Sequence, residues 1–248
     1  MSITARRLYR DTFNFFFNQL NTICFLGILT AFISMILNQI FTLGGYDIGN
    51  FFNTNNTLIS GINFQELIKQ MTPEQQIVLL KVSAAASLSA LIGNIVLLGS
   101  MLVLIPSVSE GKYISAPQAI YDSIPMLPRL LLLMFLCTLI VQLGITVFIV
   151  PGIMLAVGFS LSPIILSKEK TSVFRSIQSS FRISFINVRF ISPVMIIWLA
   201  VKLTLLLLAR IIISTLHPNI STIIISSLSH FASAFLIIYL SRLYMLIK

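Results

Sequence analysis

Few residues in this chain have the type and spacing to do chemistry. Gly158-Phe159-Ser160-Leu161-Ser162 sets a serine among small residues, and His230 stands in a later apolar stretch. A serine and a histidine within hydrogen-bond reach could work as nucleophile and general base. Serines in apolar helices more often bond back to their own backbone or let a neighbouring helix approach. Lys202 is the second candidate. A charge at bilayer depth costs about 2.5 to over 10 kcal/mol, so such a lysine faces protein or water. No acidic residue lies in the apolar stretches to pair with it, which leaves Asn94, Gln142 and backbone carbonyls near Pro151 as polar neighbours. Contact with a ligand or an anion is the functional reading; a lysine that snorkels on its long stem is the plainer one. Cys24 and Cys137 read as free thiols inside spans. Catalytic, metal and cofactor-binding residues are therefore expected to be absent.

These residues need elements to hold them, and the composition says what kind. Of 248 residues, 57% are hydrophobic and 9% charged. Soluble domains carry about 25% charged residues. Mean hydropathy is +0.99. Positions 12–46, 82–109, 130–167 and 211–241 contain no Lys, Arg, Asp or Glu. A helix needs about 20 apolar residues to cross a bilayer. The pattern predicts an all-α, polytopic transmembrane bundle in one membrane domain over 1–248, with six spans at about 20–41, 83–106, 130–150, 152–167, 191–213 and 221–246. Pro151-Gly152 divides the third span from the fourth, because proline cannot continue a helix and glycine permits a reversal. The fourth segment is short enough that a re-entrant loop is the alternative. The apolar run after Arg10 is too long for a signal-peptide core, and no small-x-small cleavage site follows, so it reads as a permanent first span.

Basic residues set the expected orientation. If the N-terminus is cytoplasmic, the inner segments hold Arg6, Arg7, Arg10, Lys112, Arg129, Lys168, Lys170, Arg175, Arg182, Arg189, Arg242 and Lys248, while Lys69 and Lys81 fall outside. That is the positive-inside pattern of a bacterial inner-membrane protein with both termini in the cytoplasm. The net charge of +9 then reflects anionic lipid rather than nucleic acid. The outer segment 42–81 is the periplasmic loop. Within it, Thr72-Pro73-Glu74-Gln75 predicts a helix start, with Thr72 as cap and Gln75 reaching back, running into the second span.

An amphipathic stretch precedes each pair of spans. Along Thr4–Gln19, Arg7, Asp11, Asn14 and Asn18 form a polar stripe opposite Leu8, Tyr9, Phe13 and Phe16. From Ser115 to Pro125, Ala116, Ile120 and Ile124 share a face. Over Ser172–Arg189, Phe174, Ile177, Phe181, Phe185 and Val188 line one face, and Arg175, Arg182 and Arg189 recur every seven residues on another. The last of these helices is expected to lie on anionic lipid. Asp11-Thr12-Phe13, Asp122-Ser123-Ile124 and Ser179-Ser180-Phe181 occupy matching places, which suggests three copies of one unit.

Two resemblances bear on function. Ser160 on the fourth span and His230 on the sixth resemble the layout of rhomboid intramembrane proteases, but Ser162 replaces the second glycine of that family's Gly-x-Ser-x-Gly. Tyr9-Arg10-Asp11-Thr12, Pro73-Glu74-Gln75-Gln76, Leu91-Ile92-Gly93-Asn94, Val150-Pro151-Gly152-Ile153 and the tail Ile238–Ile247 resemble the enterobacterial YciC family over the whole chain. That likeness implies a multi-pass inner-membrane protein and supplies no catalytic residues. The expectation is a non-enzymatic envelope factor or the partner of another membrane protein; a small-molecule or lipid transporter is the alternative.

Overall fold

The structure is a computed structural model, and it describes residues 5–42, 71–215 and 218–247. Every regular element among the described residues is helical. Six helical segments among the described residues have the length and apolarity to cross a membrane: Leu20–Phe41, Pro73–Ser109, Ala116–Val147, Val150–Glu169, Val188–Ala209 and Ile220–Ile247. The chain divides into two compact units, Met1–Phe32 with Leu91–Lys248, and Ile33–Ala90.

The smaller unit holds the end of helix α2 (Leu20–Thr42) and the start of α3 (Pro73–Ser109). The start of α3 is a reciprocal cap. The Gln75 backbone N–H donates to Thr72 Oγ1 at 3.4 Å, and the Thr72 N–H donates to Gln75 Oε1 at 2.9 Å. Each bond satisfies a donor that the first helical turn would leave orphaned. The expected start at Thr72 and the run of this helix into the second span are both present. Residues 43–70, most of the expected outer loop, lie outside the described residues.

In the larger unit, burial alternates along the chain. The first spans of the three pairs are 28%, 17% and 11% buried over their most apolar windows, and the second spans are 61%, 50% and 33% buried. The second span of each pair is therefore the inward one. Its interior joins Leu98, Leu102, Leu133, Ile165, Leu243 and Tyr244 in one cluster, and Ile23, Leu26, Leu97, Met101, Leu104 and Ile238 in another.

The third and fourth spans form the expected hairpin, with its break shifted. Helix α5 (Leu127–Val147) ends at Phe148, whose extended backbone (φ −150, ψ 132) separates it from α6 (Ile149–Phe159). Pro151 sits in the first turn of α6, where its missing N–H costs nothing. Gly152 instead lets the two helices meet. A Cβ there would stand 2.5 Å from the Ile145 nitrogen and 2.7 Å from its Cα. The fourth span breaks again at Ser160-Leu161 before α7 (Ser162–Glu169), because Pro163 cannot continue the hydrogen-bond ladder.

The three amphipathic segments are helices α1 (Ala5–Asn18), α4 (Ala116–Ser123, followed by a 3-10 turn at Ile124–Met126) and α8 (Val173–Ile186). In two of them the residues most deeply buried against the protein are small ones. Helix α4 buries Ala116, Ala119 and Ser123 and leaves Ile124 exposed. Helix α8 buries Val173, Ser176, Ser180 and Ser184, while Phe174 and Ile186 are 75% and 73% exposed. Large apolar side chains gain little by leaving lipid for protein, whereas small ones let backbones approach closely. Size therefore decides which face meets the protein. Helix α8 also stops at Asn187, short of the expected Arg189, which belongs to the first turn of α9 (Val188–Thr215).

The three units pack by one rule. Ser123 of α4 lies against Gly99 of α3, where an added Cβ would meet Ser123 Cβ at 3.3 Å. Ser180 of α8 donates to the Gly158 carbonyl of α6 at 2.7 Å. Helix α1 packs on α10 (Pro218–Ile247): Tyr9 meets Tyr239 with ring centres 5.0 Å apart, and Phe13 and Phe16 meet Phe235 edge-on. Each amphipathic helix thus sits on the second span of the preceding pair, and the first closes onto the last. Thr12, Ser123 and Ser180, the middle residues of the matching triplets, are all fully buried. Each hydroxyl donates to a backbone carbonyl, Thr12 to Leu8 at 2.9 Å and Ser123 to Ile120 at 2.7 Å. The residue after each is exposed: Phe13, Ile124 and Phe181. The expected triplets thus share a buried middle hydroxyl and an exposed apolar residue after it, although Ser180 bonds across helices where Thr12 and Ser123 bond within their own.

Candidate functional site

Lys202 lies on α9, half-buried, facing α10. Its ammonium donates to the Ser229 carbonyl oxygen at 2.9 Å and to the Ser229 hydroxyl. It also stands 5.4 Å from the centre of the Trp198 ring, one helical turn earlier on α9. Ser233 donates to the same Ser229 carbonyl at 3.0 Å. His230 follows Ser229 and is 5% exposed; among the described residues neither ring nitrogen has a hydrogen-bond partner, and the Trp198 indole N–H has none either. These groups gather where α9 meets α10. The sequence marked Lys202 and His230 for separate reasons. It gave no sign of Ser229, because that contact spans 27 residues and depends on how each helix is rotated.

The second feature is the outward side of α8. Opposite the buried serines, Arg175 and Arg182 point away from the protein. They line a groove of about 640 Å³ with Phe159, Gln178, Ser179 and Phe181. Gly158 lets Phe181 pack closely beside it: an added Cβ there would stand 2.5 Å from Phe181 Cδ2. The arginines are exposed beside an aromatic flank, an arrangement that can hold phosphate or carboxylate groups at an interface.

Residues 1–246 match the model of an uncharacterised protein family, UPF0259. The chain belongs to that family. It is similar over its full length to a UPF0259 membrane protein of Serratia proteamaculans (strain 568), at 52% identity over 250 residues with all of both chains covered. It is likewise 50% identical over 251 residues to one from Yersinia pestis (strain Pestoides F), covering all of this chain and 97% of the relative. No solved structure matches. With its six apolar helices, this UPF0259 chain is a multi-pass membrane protein.

The remaining marked residues of the UPF0259 chain are not gathered at the α9–α10 cluster. Asn94 and Gln142 are both exposed, and the hydrogen bonds of Lys202 run to Ser229 instead. The Ser160 hydroxyl donates to the Val157 carbonyl at 2.8 Å, and His230 has no hydrogen bond, so the two form no dyad. Gly158 serves helix packing. Cys137 is buried and Cys24 half-buried, both as free thiols. Arg189 is exposed but starts a different helix from Arg175 and Arg182. Among the described residues no group of His, Cys, Asp and Glu could hold a metal ion.

Proposed function

We propose that this UPF0259 protein is a non-enzymatic factor of the bacterial inner membrane that engages anionic lipid from the cytoplasmic side. The observation that carries this reading is the orientation of α8. Its small serines are spent on packing, which leaves Arg175 and Arg182 exposed with Phe174 facing away from the protein. Each basic residue near an anionic leaflet contributes about 1 kcal/mol, so the pair supplies about 2 kcal/mol, weakened by salt. Arg189 adds to the same basic border. The excess of Lys and Arg at the end bearing α1, α4 and α8 supports cytoplasmic termini. Relatives in Serratia and Yersinia support the YciC assignment within this family.

The test is the lipid retained by the full-length protein after mild detergent extraction, measured by mass spectrometry. The native protein should carry a higher ratio of anionic to zwitterionic lipid than the variant with Arg175, Arg182 and Arg189 all changed to Gln. Equal ratios would defeat the proposal.

A further inference from the structure

We infer that the α9–α10 junction at Lys202 is a binding site for the acidic head of a single-chain or phospholipid amphiphile that enters from the bilayer. The cluster is rich in donors and poor in acceptors. Of three ammonium N–H groups, the structure gives partners for two, both on Ser229. Among the described residues the Trp198 N–H and the His230 ring, one of whose nitrogens is a donor, are buried without partners. No Asp or Glu lies within α9 or α10, and no ion pair involving Lys202 occurs among the described residues. Buried donors and a buried cation without a counter-charge are each costly. A carboxylate or a phosphate, whose several oxygens accept only, answers both costs.

The surroundings say how such a group arrives. Lys202 is fourteen residues into α9, about 21 Å along the helix at 1.5 Å per residue, which is within hydrocarbon. The α9 span is the least buried of the six, at 11%, and its neighbours Val201, Leu203 and Leu206 are exposed. The route to Lys202 is therefore lateral and apolar, which suits a ligand with a hydrocarbon tail. The ammonium is turned inward to α10 rather than onto the open face of α9. A thin flexible chain can follow it there; a carboxylate on a partner helix would meet the wrong side.

Trp198 is the one tryptophan in the chain, so its fluorescence reports on this site alone. The full-length protein in nanodiscs of zwitterionic lipid is titrated with dibromostearate, its methyl ester, brominated phosphatidate and brominated phosphatidylcholine. Saturable quenching by either acid, with about tenfold weaker quenching by its uncharged or zwitterionic counterpart, is expected from one charge-assisted contact. Preference for the fatty acid or the phosphatidate names the source of the acidic head. Lys202→Gln should abolish the preference, and Lys202→Arg should keep it. Equal quenching by acid and ester, with no preference between the two phospholipids, would overturn the site, as would an undiminished preference in Lys202→Gln. The comparison on the native protein decides the matter even if that variant does not fold. Because it uses no α8 residue, its failure is separate from failure of the lipid-surface reading.

Discussion

The hydroxyl of Ser180 donates to the carbonyl oxygen of Gly158 at 2.7 Å and ties α8 to α6 across 22 residues of chain. The contact exists because Gly158 has no side chain. Ser180→Ala should therefore cost about 1 kcal/mol, the scale of one hydrogen bond within a membrane protein. Gly158→Leu should cost more, about 1–3 kcal/mol, since it drives the Phe181 ring away. Thermal unfolding in detergent measures both. A Gly158→Leu protein as stable as the native one would show that α8 is not held there.

The repeat makes a sharper claim. Thr12→Leu, Ser123→Leu and Ser180→Leu each insert a large side chain at a fully buried position, so each should destabilise by about 1–3 kcal/mol. Asp11→Asn, Asp122→Asn and Ser179→Ala, one residue earlier in each triplet, should stay within about 0.5 kcal/mol. Unfolding curves for the six variants check the pattern. If only one of the three buried positions responds, the three units are not equivalent.

Gly152 meets backbone where Gly158 meets a ring. The nitrogen and Cα of Ile145 cannot swing aside, so even Gly152→Ala should part α5 from α6 and cost about 2–3 kcal/mol. Gly111, with φ +77 and open space about its Cα, should lose less on Gly111→Ala, about 1 kcal/mol, from backbone strain alone. Comparing the two melting temperatures decides which penalty dominates.

Much of this fold is legible where the cause is local. The cap at Thr72 follows from four adjacent residues, and the spans follow from uninterrupted apolar length. Hydropathy shows which side chains of α4 and α8 are apolar, and Phe174 and Ile124 are indeed exposed, as an interfacial helix requires. It does not show which side chains meet the protein. The signal that would have found the buried face is the four-residue spacing of Ser176, Ser180 and Ser184. Pro151 marks the break three residues late, at Phe148 in the structure, because proline in a first helical turn starts a helix as readily as it ends one. The Lys202–Ser229 contact depends on the rotation of two apolar helices whose composition is nearly uniform around their axes, and no local pattern records that angle.

Sidedness can be tested directly. A single cysteine at Asn55, which lies outside the described residues, in a protein lacking Cys24 and Cys137, should react with an impermeant thiol reagent once the outer membrane is permeabilised. A single cysteine at Gln178, exposed on α8, should react only after lysis. Labelling at position 178 in intact inner membranes would reverse the orientation.

The packing of α1 on α10 also sets a timetable. Ribosomes add roughly 5–20 residues per second, so Tyr9 waits about ten to fifty seconds before Tyr239 exists to receive it. Through that interval the Tyr9, Phe13 and Phe16 face lacks its α10 partners Tyr239 and Phe235. The bilayer surface or an insertion chaperone must shelter it. The last helix is thus the latch of the larger unit, and a chain interrupted before it would present an unshielded α1 to the proteases that clear unfinished membrane proteins.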